Sequence, residues 1–305
     1  GKPAELGTGV FAMDLGNSST TQAFTSGFPV DLGIAKAHNA SGDWETMARL
    51  IQGRYLITNG TQAGAGFANA TFDDNTGFLH GNNGYTSDRI GYMWKRHAGF
   101  DVVAWVGEGV NRQMPHSLAR VPEMIWVKRR DNAADWSVYH KGLNGGTDAE
   151  NYHLHVNTTA AEYAAATMWN DSAPTATHFN IGSHPNVNAN NGTYIAMLFS
   201  SVDGISKVGS FSGQTGSDLT IELGFTPRFF MAKRIDAAGH GWYVLDTTRG
   251  LVSGNDKVLL LNSNAAQFSG DYADPTSSGI TLAADYDTSL LGNSSSHKHI
   301  YYAHA

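Results

Sequence analysis

Two histidine pairs are the residues of this 305-residue chain whose spacing suits a transition metal. His153 with His155, and His297 with His299, each place two imidazoles on one face of a strand, an arrangement that zinc or nickel could use. Neither pair has a third ligand at a recognisable spacing. We therefore expect no ordered transition-metal site.

Two aspartate clusters offer oxygen ligands for calcium. Asp73 and Asp74, and likewise Asp285 and Asp287, lie in loops rich in glycine and asparagine. Lectin-like sandwiches often bind calcium in such loops, but no EF-hand spacing is present. The alternative, which we favour, is that these side chains form Asx-turns. Calcium is thus the one ion for which candidates exist, and no cofactor is predicted.

Paired carboxylates are the most serious sign of an enzyme. A glycosidase needs two carboxyl groups about 5–10 Å apart, and no acid recurs in all three of the sequence repeats described below. Cysteine is absent, and neither a Gly-x-Ser-x-Gly motif nor a phosphate-binding glycine loop is present. The sequence predicts no catalytic residue and no enzymatic activity. The candidate acids are Asp73, Asp74, Glu150, Glu162, Asp246, Asp285 and Asp287.

The elements that position these residues recur three times along the chain. Each copy of the repeat has a proline near its start and a lysine at its end, over residues 28–36, 121–128 and 225–233. Trp44, Trp136 and Trp242 follow the prolines by 15, 14 and 15 positions. An apolar run ending in asparagine comes next, and an aromatic segment closes each unit. The pattern predicts a tandem array with equivalent Pro-to-Lys strands.

The repeats predict three β-rich domains. Thirty-five glycines and few charged residues leave short runs of β-branched and aromatic residues between turns. Units of about a hundred residues are large enough to bury a core of their own. We therefore predict an all-β fold of three tandem β-sandwiches, jelly-roll or lectin/laminin-G-like, over residues 1–99, 100–204 and 205–305. The best helical candidate, residues 159–168, is short, with Thr159 and Glu162 arranged as a capping box.

Aromatic residues invite a sugar-stacking interpretation. The three recurring tryptophans are more simply explained as buried core plugs that fill the same gap between two sheets. Replacing one by alanine should then cost roughly 3–5 kcal/mol. Tyr85, Tyr163 and Trp169 fall outside the repeat pattern and are better candidates for surface contact.

Composition narrows the choice of partner. The formal net charge is −7, and the basic runs at residues 95–97 and 128–130 follow strand ends, so we expect solvated strand termini and no nucleic-acid partner. No signal peptide and no apolar run approaching about 18 residues is present, which predicts a soluble chain without membrane insertion. The start at Gly1, already inside a repeat, suggests a section of a longer protein.

The third unit resembles a known domain over nearly its whole length. Residues 224–234 read Gly-Phe-x-Pro-x-Phe-Phe-x-x-Lys-Arg, and residues 242–250 end in Asp-Thr-Thr-Arg-Gly. These motifs are similar to a tandem β-sandwich domain of unknown function in virion structural and tail proteins of marine tailed bacteriophages. The second unit keeps residues 136–142 in place of the second motif, and the first keeps only Trp44 and Arg49.

The resemblance implies a non-enzymatic component of the virion. We expect a tail fibre, tail-tip or capsid-surface appendage that forms homo-oligomers, contacts other virion proteins and has a host-surface glycan as a candidate ligand. The implied interfaces should each bury more than about 1,000 Å². A bacterial carbohydrate-binding adhesin is the alternative, and a polysaccharide-degrading tailspike-type enzyme comes third.

Overall fold

A computed structural model describes residues 6–19, 21–68, 70–80, 85–284, 290 and 294–305. Strand accounts for 41% of the chain and helix for 7%, which confirms the predicted all-β class. Three six-stranded sheets are each paired with a small sheet, forming three β-sandwich-like units. No helix in these ranges is long and apolar enough to cross a bilayer.

The first unit has its six-stranded sheet in the order β1-β9-β3-β4-β5-β6, and its small sheet in the order β2-β8-β7. All neighbouring strands are antiparallel. The strands are β1 (Phe11–Leu15), β2 (Phe24–Thr25), β3 (Leu32–Ala37), β4 (Glu45–Ala48), β5 (Arg54–Ile57), β6 (Ala65–Gly66), β7 (Ala70–Thr71), β8 (Gly77–His80) and β9 (Arg89–Trp94).

The second unit repeats this arrangement with the orders β10-β17-β12-β13-β14-β15 and β11-β16. Its strands are β10 (Phe100–Val106), β11 (Arg112–Pro115), β12 (Met124–Arg129), β13 (Ser137–His140), β14 (Tyr152–His155), β15 (Tyr163–Ala164), β16 (His178–Ile181) and β17 (Thr193–Phe199). The α-helices are α1 (Ala166–Trp169) and α2 (Pro185–Asn188).

The third unit has the orders β18-β26-β20-β21-β22-β23 and β19-β25-β24. Its strands are β18 (Ser206–Ser212), β19 (Leu219–Glu222), β20 (Phe229–Arg234), β21 (Trp242–Asp246), β22 (Asp256–Leu260), β23 (Phe268–Gly270), β24 (Ala273–Pro275), β25 (Gly279–Leu282) and β26 (Lys298–His304). The 3₁₀ turns of the described chain are Gly7–Gly9, Arg49–Ile51, Leu143–Gly146 and Ala149–Asn151.

The Pro-to-Lys strands β3, β12 and β20 occupy the third position of their sheets, next to the closing aromatic strand. Each lysine pairs with an isoleucine of that closing strand: Lys36 with Ile90, Lys128 with Ile195, and Lys233 with Ile300. The predicted equivalence of these strands is therefore confirmed. The predicted boundaries near residues 100 and 204 fall between sheets, and as domain limits they stay a prediction.

Strand β20 shows why both faces of these strands are apolar. Phe229 and Met231 belong to a core shared by all three units, whereas Phe230 and Ala232 belong to the core inside the third sandwich. Side chains of a strand alternate between its two faces, so a strand covered on both sides needs apolar residues at successive positions. The large sheets thus face one another around a common centre, and each small sheet covers the outside of its own unit.

The predicted helix at residues 159–168 is wrong for most of its length. Tyr163 and Ala164 instead form β15 beside β14, and only Ala166–Trp169 is helical. The carboxylate of Glu162 does not cap this segment, because it accepts the backbone N–H of Asn144 (2.7 Å). Pairing with a strand edge and this distant contact outweigh the weak helical preference of so short a segment.

Candidate functional site

The three recurring tryptophans lie between units. Their exposed fractions are 1% for Trp44, 0% for Trp136 and 1% for Trp242, which confirms the expected burial. Each indole Nε1–H donates to a carbonyl of a neighbouring unit: Trp44 to Leu260 (3.0 Å), Trp136 to Ile57 (2.8 Å) and Trp242 to His155 (3.0 Å). The expectation that they fill a gap inside one sandwich is therefore wrong: they fill the interfaces between sandwiches.

The asparagine that ends each apolar run holds the tryptophan strand in place. Its Oδ1 accepts the backbone N–H of the tryptophan in the same unit: Asn59 from Trp44 (2.8 Å), Asn157 from Trp136 (2.9 Å) and Asn262 from Trp242 (2.8 Å). A side-chain amide at a strand end supplies an acceptor where the sheet ladder stops. This contact explains why asparagine recurs at that position.

Two backbone hydrogen bonds recur at each interface. The amide six residues after the lysine donates to the carbonyl two residues after the neighbour's asparagine: Gly42 to Asn264 (2.8 Å), Ala134 to Thr61 (2.9 Å) and Gly239 to Thr159 (2.8 Å). In return, the amide five residues after the asparagine donates to the carbonyl two residues after the lysine: Gly64 to Arg130, Glu162 to Ile235 and Gln267 to His38, all 2.8 Å. The first unit contacts the second, the second the third, and the third the first, so the ring is closed.

The three repeat lysines are fully buried at these interfaces. Lys128 Nζ donates to the carbonyls of Thr61 (3.0 Å) and Ala134 (2.7 Å), and Lys36 Nζ donates to that of Asn264 (3.2 Å). Lys233 Nζ donates to His240 O (2.6 Å). Burial lowers the pKa of all three lysines to about 8. The expected solvated strand terminus is thus wrong for Lys128, because its ammonium group is needed to satisfy carbonyls at the 1–2 interface.

The interface between the third and first units carries an additional ion pair. Arg249, from the Asp-Thr-Thr-Arg-Gly segment, lies 2.5 Å from Asp246 Oδ2, and both side chains are buried. Tyr92 of the first unit donates to the same carboxylate (2.7 Å). Arg249 also donates to Val244 O (2.9 Å). The best-matching motif of the family resemblance is therefore an interface element, and Asp246 is committed to an ion pair.

The calcium candidates do not converge in the described part of the chain. Asp74 Oδ1 accepts both the backbone N–H (2.8 Å) and the hydroxyl (2.9 Å) of Thr76, which is an Asx-turn, and Asp73 is exposed. Asp285 and Asp287 lie outside the described residues. No group of three or more His, Asp or Glu side chains within the described ranges could hold a metal ion.

The histidine pairs have aromatic neighbours. The rings of His153 and His155 are 5.2 Å apart, and Tyr163 lies against both, with its hydroxyl 3.1 Å from His155 Nε2. His299 is buried and stacks on Phe211, with 4.6 Å between ring centroids and planes 3° apart. Burial lowers the pKa of His153 and of His299 to about 3.

Two of the three candidate surface aromatics are buried. Tyr85 is 6% exposed and donates to Glu45 (2.7 Å), and Trp169 is 2% exposed and donates to Tyr152 O (3.1 Å). Neither can present a ring to a ligand, so both are corrected to core residues. Tyr163 is 41% exposed and keeps its place as a candidate contact.

Surface grooves follow the boundaries between units. At the 1–2 interface, clefts of about 410 and 330 Å³ share Arg96 and Ser117. Arg96 Nε lies 2.5 Å from Asp101 Oδ1, and Ser117 donates through its backbone N–H (2.7 Å) and hydroxyl (2.9 Å) to Asp101 Oδ2. Arg96 is therefore oriented by a buried carboxylate and is not a freely solvated strand end. Asp31, His116 and the half-exposed Leu50 complete this lining.

A second groove of about 270 Å³ lies at the 2–3 interface. Strand pairing shows that it is related to the Arg96 groove by the internal repeat. Leu50 corresponds to Gly142, and Ala104 corresponds to Ser210. It is lined by Gly142, Gly145, Ser210, Phe211, Ser212, Lys298 and His299.

The comparison with protein families places the whole ring in one family. The model of the "Domain of unknown function (DUF7483)" matches residues 10–305. The chain belongs to this family. A single DUF7483 match spans all three six-stranded sheets.

Other comparisons add little to the DUF7483 assignment. No curated protein matches the sequence. The crystal structure of the STIV MCP is similar at 11% identity, over 67% of this chain and 84% of that one, with a TM-score of 0.18. A likeness at that TM-score supports no statement about fold or function.

The sequence repeat marks the residues that form the interfaces, but it does not show that they lie between units. The recurring proline, tryptophan, asparagine and lysine mark equivalent positions, but spacing cannot tell a core inside a unit from one between units. Arg96 and Lys298 were not expected to line grooves. The only sequence signal was that each sits beside other basic or imidazole side chains at a strand end.

Proposed function

We propose that the protein is a non-enzymatic structural component of a tailed-phage particle, as a tail-fibre, tail-tip or capsid-surface appendage. The resemblance of residues 224–234 and 242–250 to virion domains supports the particle context. The closed ring of three units supports the structural role, and it is the observation that carries the proposal.

A ring of equivalent interfaces makes a stiff body. Units that bind head to tail form an open chain unless the rotation from one unit to the next closes them into a ring. Here the ring closes after three units, so each unit has both of its binding surfaces occupied by a neighbour. The same indole and backbone-amide contacts secure each step. A particle component needs this resistance to deformation, whereas an enzyme more often needs mobile loops around a reactive centre.

The surroundings of the candidate acids support a non-catalytic role. Asp246 is ion-paired with Arg249, and Asp74 forms a turn. Glu162 accepts a backbone N–H, and burial raises its pKa. A hydrolase would place two such groups across an open cleft. Their dispersal over turns and interfaces suits a framework protein.

The Arg96 groove supports a binding role for a host-surface glycan. An arginine held by Asp101, the Ser117 hydroxyl and an apolar wall at Leu50 combine polar groups with a small hydrophobic surface. Polar groups in fixed positions orient a ligand and give a small-ligand site its specificity. The bacterial adhesin remains the second candidate function because this groove suits a surface glycan in either setting.

Analysis of purified particles tests the proposal. We expect mass spectrometry to find the protein in gradient-purified particles at a stoichiometric copy number, and antibody labelling to place it on an appendage or surface. We also expect interfaces with itself or with other particle proteins of more than about 1,000 Å² each. Absence from the particles, with display on a bacterial surface, would favour the adhesin. Release of reducing sugar from host polysaccharide would overturn the non-enzymatic role.

A further inference from the structure

The groove between the second and third units differs in charge from its counterpart at the 1–2 interface. Among the described residues, its lining contains Lys298 and no Asp or Glu, whereas the clefts at the 1–2 interface contain Asp31 and Asp101 beside Arg96. The residue of the second unit that is equivalent to Lys298 is Thr193. Lys298 pairs with Ser212 in the third unit, and Thr193 pairs with Val106 at the same place in the sheet of the second unit. The cation of the 2–3 groove therefore has no counterpart at the equivalent position, and Arg96 in the 1–2 clefts is paired with Asp101.

Lys298 is held for binding by its neighbours. Its Nζ donates to Ser212 Oγ (2.9 Å), which fixes the ammonium group and leaves further donors. Its backbone N–H donates to Asp236 Oδ1 (2.9 Å). The Asp236 carboxylate is already paired with Arg234 through two hydrogen bonds of 2.9 Å, so it does not neutralise the lysine. The groove therefore attracts a negatively charged group.

The remaining lining provides surfaces that a sugar ring uses. The Phe211 ring is partly exposed and stacks on the buried His299 ring, which holds it in place. Ser210 and Ser212 are exposed and carry hydroxyl groups. Aromatic faces with hydroxyl partners suit a pyranose, which has an apolar face and a polar rim.

The opposite wall is fixed and short. Asn144 and Gly145 have φ of 51° and 65°, a left-handed conformation in which glycine and asparagine are favoured. Asn144 Nδ2 donates to Thr147 O (2.8 Å), which ties the loop down. A Cβ at Gly142 would lie 2.8 Å from Ser210 Cβ, so only glycine allows this close approach.

We propose that this groove binds an acidic saccharide unit, with the carboxylate or sulfate of the sugar on Lys298 and the ring against Phe211. The volume of about 270 Å³ is just below the range of about 300–1,000 Å³ for small-ligand sites, which suits a single sugar unit. The proposal rests on the glycan-binding role proposed above and names its ligand class.

The test is a saturation-transfer NMR titration of the full chain with sodium glucuronate, glucose and sodium acetate. We expect glucuronate to bind saturably and more weakly at high salt, and glucose and acetate to bind at least tenfold more weakly. Lys298→Thr, which installs the second unit's residue, should weaken glucuronate binding at least tenfold. Lys257→Thr is the matched control, because Lys257 also donates to a serine, Ser269 Oγ (2.7 Å), outside the groove. It should change binding less than twofold.

Each other outcome overturns the proposal. Acetate that competes as well as glucuronate would show a general anion site, and glucose that binds equally would remove the role of charge. The proposal would also be refuted if glucuronate did not bind, or if Lys298→Thr had a normal melting curve and bound glucuronate as tightly as the unchanged protein. The particle analysis is independent: glucuronate binding by a protein absent from particles would keep this groove and reject the virion assignment.

Discussion

Truncation of Trp136 tests the interface between the first and second units with one residue. The indole is 0% exposed, and Trp→Ala in such a site costs about 3–5 kcal/mol through lost apolar contact and an unfilled cavity. That range includes the hydrogen bond to Ile57 O, worth about 1 kcal/mol. At roughly 2 °C per kcal/mol, the melting temperature should fall by about 6–10 °C.

The location of the loss distinguishes an interface plug from an ordinary core residue. Hydrogen exchange followed by mass spectrometry or NMR should show reduced protection at Gly64, in the first unit, and at Ala134, because their amides bridge this interface. Trp169→Ala is the matched control, since its indole is equally buried but donates within the second unit, to Tyr152 O. If Trp136→Ala and Trp169→Ala change exchange at Gly64 equally after correction for global stability, the interface role is refuted.

Three further predictions concern buried charge. Four histidines have pKa values lowered to about 3 by burial, below the unfolded value near 6.5, so stability should be complete above pH 6.5 and decline as the pH falls toward 3. At pH 5 the loss is about 2 kcal/mol for each histidine, and thermal unfolding at pH 7.5 and 5 measures it; no change would contradict their burial as neutral groups. They are His140, His153, His299 and His304. The three repeat lysines, with pKa about 8 against an unfolded value near 10.4, should raise stability by about 1 kcal/mol each between pH 8 and 9, and a urea midpoint that falls instead would show that they are solvated. Asp246→Ala should lower the free energy of unfolding by about 3–5 kcal/mol, because it leaves Arg249 buried and unpaired. Asp131 pairs with Arg129 at a more exposed site, so Asp131→Ala should lower it by less than about 1 kcal/mol. Urea unfolding measures both losses, and equal losses would refute the difference.

Much of the fold could be predicted because strand and turn signals are local. The alternation of Phe229 with Phe230 requires two covered faces, and the structure supplies a shared core on one side and a sandwich core on the other. The repeat of proline, tryptophan and lysine predicted equivalent strands. The segment at residues 159–168 was misjudged because β pairing decides its conformation, and propensity alone does not include that contact.

The arrangement of the units could not be predicted from spacing. A tryptophan at the same position in three repeats is equally consistent with three separate cores and with three interfaces. Long-range contacts distinguish them, such as the hydrogen bond of Trp242 to His155 O across 87 residues. Candidate sites failed for a related reason: Tyr85 and Trp169 lie outside the repeat pattern, but burial depends on neighbours distant in sequence. The grooves depend on the same long-range packing.

Cryo-electron microscopy of purified particles would show whether the three-unit body is part of the virion. We expect ordered density for a three-lobed body in which Trp44, Trp136 and Trp242 each bridge two lobes, present in multiple copies on an appendage or on the capsid surface. Particles that are complete and infectious but lack this body, with the protein recovered only in the unassembled fraction, would contradict it.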